Sequence, residues 1–373
     1  MEINQIINYL IQIADSPDKA VKQSCERNHK NAVGWIAPYA PEEIIYAANC
    51  IPVGLWGGEV ELRRARTYLP AFACSIMQSV MEYETKGTYD ILKAVLVPAM
   101  CDTLKCFGQK WKGTCPAIPF VYPQNRRVKS AELFLENEYK YITKKLEDIL
   151  NVDITEKALR ESIILYNDYR LVMREFTEIA TMHTTTISPM VRHQIIKASY
   201  FMDKKEYLCY LRELNEKLRL QPIEHSKNKR VIVSGIMLEP KGILSHFEAL
   251  GIDVVGDDLA QETRQFRTDV PFAGDALKSL ARQWINHNAC SLAFDPYKRR
   301  IQHLVDLVHH FKADGVVLAL MKFCDPEEYD VPIIMSKMKE ENIPLLVIEV
   351  DQQATTFEQI NTRLQGFVES MDD

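Results

Sequence analysis

Two α/β lobes of Rossmann-like type, each with a largely parallel sheet and joined by a helical segment, are predicted by three features of this 373-residue chain. Strand-length apolar runs alternate with amphipathic stretches in the first third and again in the last. Between them lies a glycine-poor region rich in Glu, Lys, Leu and Tyr, with no strand-like run. The length amounts to about two domains at ~150 residues each, and 47% apolar residues can furnish both cores. The expected division is an N-terminal α/β lobe at 1–130, a helical linker at 131–225 and a C-terminal α/β lobe at 226–373.

"MEINQIINYLIQIADSPDKA" places Ile3, Ile6, Ile7, Leu10, Ile13 and Ala14 at the spacing of one helix face. Its acidic second residue is unlike a secretory leader. No charge-free apolar run elsewhere reaches the ~18 residues of a membrane span, so a cytoplasmic location is expected. In "WIAPYAPEEIIYAANCIPVGLWGG", Pro41 followed by Glu42 and Glu43 predicts a helix start, and the apolar run behind it a strand. "YLPAFACSIMQSVMEYETKG" reads as loop then helix, with Ser75 a candidate N-cap. A strand over Val95 to Met100, a short helix and the strand "IPFVYP" complete the first lobe. The second lobe opens at "KRVIVSGIMLEPKGILSHFEALGIDVVGDD" and continues through "CSLAF", read as a strand entry, and a strand at Gly315 to Phe323. The strand "PLLVIEVD" and a last helix follow, the helix with Thr355 and Glu358 as a capping box.

Charge narrows the function classes. With 45 basic against 51 acidic residues the net charge is −6, which argues against a general nucleic-acid or anionic-membrane binder. The chain has no G-x-x-x-x-G-K-[ST], no G-x-G-x-x-G and no G-x-S-x-G, and so lacks the usual devices for phosphate loops, dinucleotides and serine nucleophiles. Its nine cysteines are expected to be thiols rather than a disulfide framework.

Three of those cysteines stand out. Cys101 and Cys324 follow apolar strands, where open parallel sheets place their ligands. Ser75, Asp102 and Asp325, all common N-cap types, directly follow Cys74, Cys101 and Cys324. A thiol just before a helix start feels the positive end of the dipole, which favours the metal-binding thiolate. Pro332, close behind Asp325, is expected to leave only one capped turn at the third site. The spacings of 27 and 223 residues mean that the fold must gather these ligands from separate loops. There is no C-x₂-C and no H-E-x-x-H, so an iron-sulfur cluster suits three converging thiols at least as well as zinc does. Ordinary buried thiols are the plain alternative. Cys106 is the reserve fourth ligand, a position that sulfide or water could also fill; it is expected inside the helix starting at Asp102. His303, His309 and His310 fall on a predicted helix with no metal role.

Beyond these physical signals, "PAFACSIMQSVMEY", "CDTLKCFGQKWKGTCP", "DDLAQETRQFRTDVP" and "MKFCDPEEYD" resemble the small (β) subunits of the 2-hydroxyacyl-CoA dehydratases, which are grouped with the benzoyl-CoA reductases. The resemblance runs from "APEEIIYAA" to "VDQQATTFEQINTRLQGFVE", and "DTLKCFGQKWKGTCP" is most similar to members acting on lactoyl-CoA. It implies a heterodimer of homologous subunits, each holding one 4Fe-4S cluster on three cysteines, which by motif fall on Cys74, Cys101 and Cys324. It further implies an ATP-hydrolysing iron-sulfur activator that delivers one electron. The acyl-CoA would bind mainly on the larger (α) subunit, where a ketyl radical expels the 2-hydroxyl group. This chain would then relay the electron and contribute no catalytic side chain. Glu43 is a candidate acid or base but reads first as a helix-start carboxylate. Lys298, Arg299 and Arg300 are candidates for CoA phosphates but read first as a solvated turn. A benzoyl-CoA reductase-type subunit and a two-lobed binding protein without catalysis are the rival readings.

Overall fold

Two parallel sheets of four strands each are formed by opposite ends of the chain in the computed structural model, which describes residues 1–224 and 226–371. In the first, β1 (Asn31–Ile36), β2 (Cys50–Leu55), β3 (Leu92–Pro98) and β4 (Ala117–Phe120) run in the order β2-β1-β3-β4. The prolines obey the ladder: Pro52 and Pro119 lie on the two edge strands and Pro98 ends a central one. In the second, β5 (Lys229–Gly235), β6 (Ile252–Leu259), β7 (Gly315–Met321) and β8 (Leu345–Val350) run in the order β6-β5-β7-β8. Apart from the edge strands β4 and β8, which are only half buried, the strands are almost continuously buried, as parallel strands covered on both faces must be.

Helices α1 (Ile3–Asp15), α2 (Pro17–Asn28), α3 (Glu42–Ala47), α4 (Ser75–Thr85) and α5 (Asp102–Lys110) surround the first sheet. The glycine-poor region is helical as predicted: α6 (Ser130–Leu150), α7 (Glu156–Ala180), α8 (Pro189–Ala198) and α9 (Lys204–Arg219). α1 turns its apolar stripe onto α8 and α9, burying Ile6 and Leu10 completely. The second sheet carries α10 (Lys241–Ala249), α11 (Thr263–Phe266), α13 (Arg299–Phe311), α14 (Asp325–Glu328), α15 (Val331–Glu340) and α16 (Glu358–Ser370), while α12 (Ala276–Asn286) packs on α6 and α7. No helix among the described residues is long and apolar enough to cross a membrane.

Four sequence expectations fail locally. β1 was not anticipated, because Gly34 interrupts its β-forming run; there Leu92 and Leu55 pack where a side chain would stand. "CSLAF" is a loop whose Cys290, Leu292 and Ala293 are buried by tertiary packing rather than by strand pairing. Thr355 caps nothing, since α16 begins at Glu358 behind Phe357 and has no side-chain cap. Finally, Ser75, Asp102 and Asp325 are the first helical residues of α4, α5 and α14, and the N-cap in each case is the cysteine before it.

Candidate functional site

Cys74, Cys101 and Cys324 each occupy the N-cap of a helix. Cys101 lies three residues past the end of β3, and Cys324 three past the end of β7. The carboxyl edges of the two sheets thus face one another, and α4 inserts Cys74 alongside. A cross-lobe joint fixes this arrangement. Ser75 Oγ donates to Met321 Sδ at 3.1 Å and accepts from the Gln352 N–H at 3.2 Å. Gln352 also accepts from Ser79 Oγ at 2.9 Å, and its amide donates to the Trp56 carbonyl at 3.0 Å and to Glu239 at 3.2 Å. Gly57, at φ +73°, is required here: a Cβ would stand 2.0 Å from Ser79 Oγ.

All three thiols are partly exposed and free. They lie within electrostatic reach of each other: Cys101 raises the pKa of Cys74, and both raise that of Cys324. Among the described residues no three His, Cys, Asp or Glu side chains are arranged as ligands of a single metal ion. Burial dominates the titration, pushing the Cys74 thiol up to about 11 and that of Cys101 upward, against the N–H groups of the first helical turns. Cys324 is pushed well up by burial first and by the Glu327 carboxylate second. The helix dipoles therefore do not win here, contrary to the sequence argument. A metal ion that bound here would have to displace the thiol protons, and its own charge would favour that.

The donor set fits a 4Fe-4S cluster. It comprises three soft sulfurs, each at a helix start with no side-chain cap; at α4 and α5 the first-turn N–H groups face the sulfur, whereas in α14 Pro326 has no N–H and the Glu327 and Glu328 amides are taken by the Cys324 carbonyl. Cys106 sits on α5 as predicted and is exposed. Cys25 is partly exposed and Cys209 exposed; Cys50, Cys115 and Cys290 are buried, Cys290 with its sulfur 3.3 Å from the Tyr39 hydroxyl.

Sequence reasoning missed the charges beneath Cys324. Glu327, fully buried, receives Arg300 at 2.5 Å and Arg264 at 3.2 Å, and both arginines also hold Asp258. Only the run of acids in "CDPEEY" hinted at it. Arg300 is therefore no part of a solvated turn. Lys298 is paired with Asp330 at 2.6 Å and Arg299 with Asp295 at 3.3 Å, which leaves none of the three free for a phosphate. Glu43 is buried against Arg170.

The family model for "2-hydroxyglutaryl-CoA dehydratase, D-component" matches residues 38–371. The chain is 44% identical, over 99% of both chains, to the lactoyl-CoA dehydratase subunit beta of Anaerotignum propionicum. It is 38% identical, over 99% of both chains, to the (R)-phenyllactyl-CoA dehydratase beta subunit of Clostridium sporogenes. Identity to the (R)-2-hydroxyglutaryl-CoA dehydratase subunit beta of Acidaminococcus fermentans is 34% over the whole of both chains.

Proposed function

The chain belongs to the 2-hydroxyglutaryl-CoA dehydratase D-component family, and from that premise we propose that it is the β subunit of an iron-sulfur (R)-2-hydroxyacyl-CoA dehydratase. In this reading it holds one 4Fe-4S cluster on Cys74, Cys101 and Cys324. It relays one electron from an ATP-dependent activator toward a larger, substrate-binding α subunit. The observation that carries the reading is the placement of three mutually sensed thiols at three helix starts, where the carboxyl edges of two sheets meet. The beta-subunit names of the relatives support a partner, and the 44% identical one makes lactoyl-CoA the first thioester to try.

When bound, the cluster supplies storage and passage of a single electron at low potential. The rest falls to the chain's own residues. The three sulfurs bind, the first-turn amides of α4 and α5 orient negative charge, and Met100, Leu104 and Met321, next in the chain to these elements, are buried. The joint of Ser75, Met321 and Gln352 keeps the two lobes at a fixed separation. Phe72, Phe323 and Tyr329 flank the cysteines and stand 68%, 43% and 78% exposed. Such an apolar rim suits burial under a partner subunit. A cytoplasmic setting, which keeps thiols reduced, belongs to the reading. So does the division at 1–130, 131–225 and 226–373.

Anaerobic purification of this chain with its partner tests the reading. The expected product is brown, with about four irons and four sulfides per chain, and dehydrates lactoyl-CoA only with activator, ATP and a strong reductant. A colourless or zinc-loaded chain overturns it, as does turnover by the isolated chain.

A further inference from the structure

The loop leaving β4 leads into α6 past Arg126 and Arg127, and Lys129 is the N-cap of that helix. Basic residues are the wrong choice for a bare helix start, because the dipole already concentrates positive charge there. α6 is 21 residues long and its N-cap makes no side-chain hydrogen bond. Beside it lies a cleft of ≈ 460 Å³ bordered by Arg126, Arg127, Lys129 and, from α12, Lys278 and Arg282.

The charges in this cleft do not balance. Its two carboxylates are spent: Glu132 pairs with Arg282, and Glu136 with Lys140 at 2.6 Å. Arg126, Arg127, Lys129 and Lys278 form no ion pair with any described residue. Arg127 instead lies over the Tyr297 ring, 4.6 Å from its centroid. Arg126 is the telling group, since it is only 5% exposed and its Nε has no hydrogen-bond partner. Its guanidinium stands over Trp284 and donates from Nη1 to the Trp284 carbonyl at 3.3 Å. Asp295 attracts this buried cation without pairing with it and is itself held by Arg299, and a buried cation so incompletely countered is costly unless a further anion joins it.

We propose that this cleft binds a phosphate-bearing small molecule, with Arg126 at its base, Arg127, Lys129 and Lys278 around it, and the first-turn amides of α6, other than that of Ala131, which donates to the Val128 carbonyl, directed at the phosphate. Helix-start amides and an arginine fork are the two devices proteins use most for that group, and the cleft has room for a diphosphate with part of its ester. The site lies apart from the three cysteines and does not depend on the function proposed above. The phosphate could come from the 3′-phospho-ADP end of a CoA thioester or from a free nucleotide.

Calorimetric titration of the full-length protein, assembled with its partner subunit, with inorganic pyrophosphate tests the site and needs neither cluster nor turnover. Binding is expected at about millimolar concentration or below, weakening as salt rises. Arg126→Gln should weaken it about tenfold or more, the worth of one charge-assisted hydrogen bond. Because that residue is buried, the exposed variant Lys129→Gln, which leaves the core intact, provides a second reading and should weaken binding about threefold. Lys298→Gln, whose lysine is held by Asp330, should change nothing. Displacement of pyrophosphate by CoA supports the site with the thioester as its ligand, and displacement by ADP but not CoA supports it with a nucleotide. Absence of pyrophosphate binding to the wild-type assembly overturns the site, as does equal affinity in Arg126→Gln and Lys129→Gln.

Discussion

Ser75, the first residue of α4, donates its hydroxyl to Met321, the last residue of β7, at 3.1 Å. The helix start that carries Cys74 is thereby fastened to the strand that ends three residues before Cys324. Ser75→Ala removes this bond and strips the buried Gln352 N–H of its acceptor. The expected cost is about 1–3 kcal/mol, read by urea denaturation of the apoprotein. Iron retained after gel filtration should fall in parallel.

Single alanine substitutions sort the cysteines. Cys74→Ala, Cys101→Ala and Cys324→Ala should each lose iron and sulfide. Cys25→Ala, Cys209→Ala and Cys290→Ala should keep them, and exposed Cys106→Ala is expected to keep them too. Full iron content in any of the first three removes that residue from the ligand set.

The position of Asp102 gives a sharper result than its residue type suggested. As a cap it would tolerate Asn and suffer from Ala; as the first residue of α5 it interacts only with the dipole. Asp102→Asn and Asp102→Ala are therefore expected to cost the same, about 0.3–1 kcal/mol. Both should raise the reduction potential of the reconstituted cluster by similar amounts, because both remove one nearby negative charge. A large difference between the two in melting experiments would restore the capping role.

This one-residue shift marks where the sequence stops being legible. Helices α6 to α9, the alternation of strand and helix, and the cysteines at helix starts depend on periodicity and near neighbours, and a reader of the chain can find them. The choice between Cys101 and Asp102 as the cap depends on where β3 releases the chain, which no local pattern encodes. β1 and the loop at Cys290 were misread for a related reason: Gly34 and Leu292 take their meaning from side chains distant in sequence. The ion cluster of Asp258, Arg264, Arg300 and Glu327 joins residues far apart in the chain and shows in sequence only as ordinary charged positions.

A second buried chain of charges should set the pH range of stability. His193 lies between Glu239, 3.0 Å from Nε2, and Glu262, 2.9 Å from Nδ1. Burial alone would lower its pKa, but the two carboxylates outweigh burial and raise it above the ordinary 6.5. A raised folded-state pKa contributes stability that is complete below the unfolded value and fades as pH rises through the folded one. Glu239 has the opposite sign: burial would raise it, yet Lys197 and His193 hold it well below 4.5. Its contribution is present above the unfolded value and fades as pH falls. His193→Gln should flatten the alkaline limb of a melting-temperature profile, while the acid limb, carried mainly by Lys197, persists. An unchanged alkaline limb would assign it to other groups.

Glu327 connects the buried ion cluster to the cysteine that the sequence supported least. Its N–H donates to the Cys324 carbonyl at 2.9 Å, closing the single turn of α14, while its side chain is gripped by Arg264, Arg300 and Ser291. A four-residue helix has little stability of its own, so the carboxylate is what holds this turn, and Cys324 with it, against the sheet. Glu327→Gln keeps the shape but removes one charge from a fully buried set, and a broken buried pair typically costs about 3–5 kcal/mol. The variant is expected to lose that order of stability in denaturant and to release iron faster to a chelator than wild type. Glu328→Gln, one residue on and exposed, should lie within about 0.5 kcal/mol of wild type. Were Glu327→Gln to release iron no faster than Glu328→Gln, the turn would be held by Pro326 and the strand end alone, and the buried ion cluster would serve the second lobe without reaching Cys324.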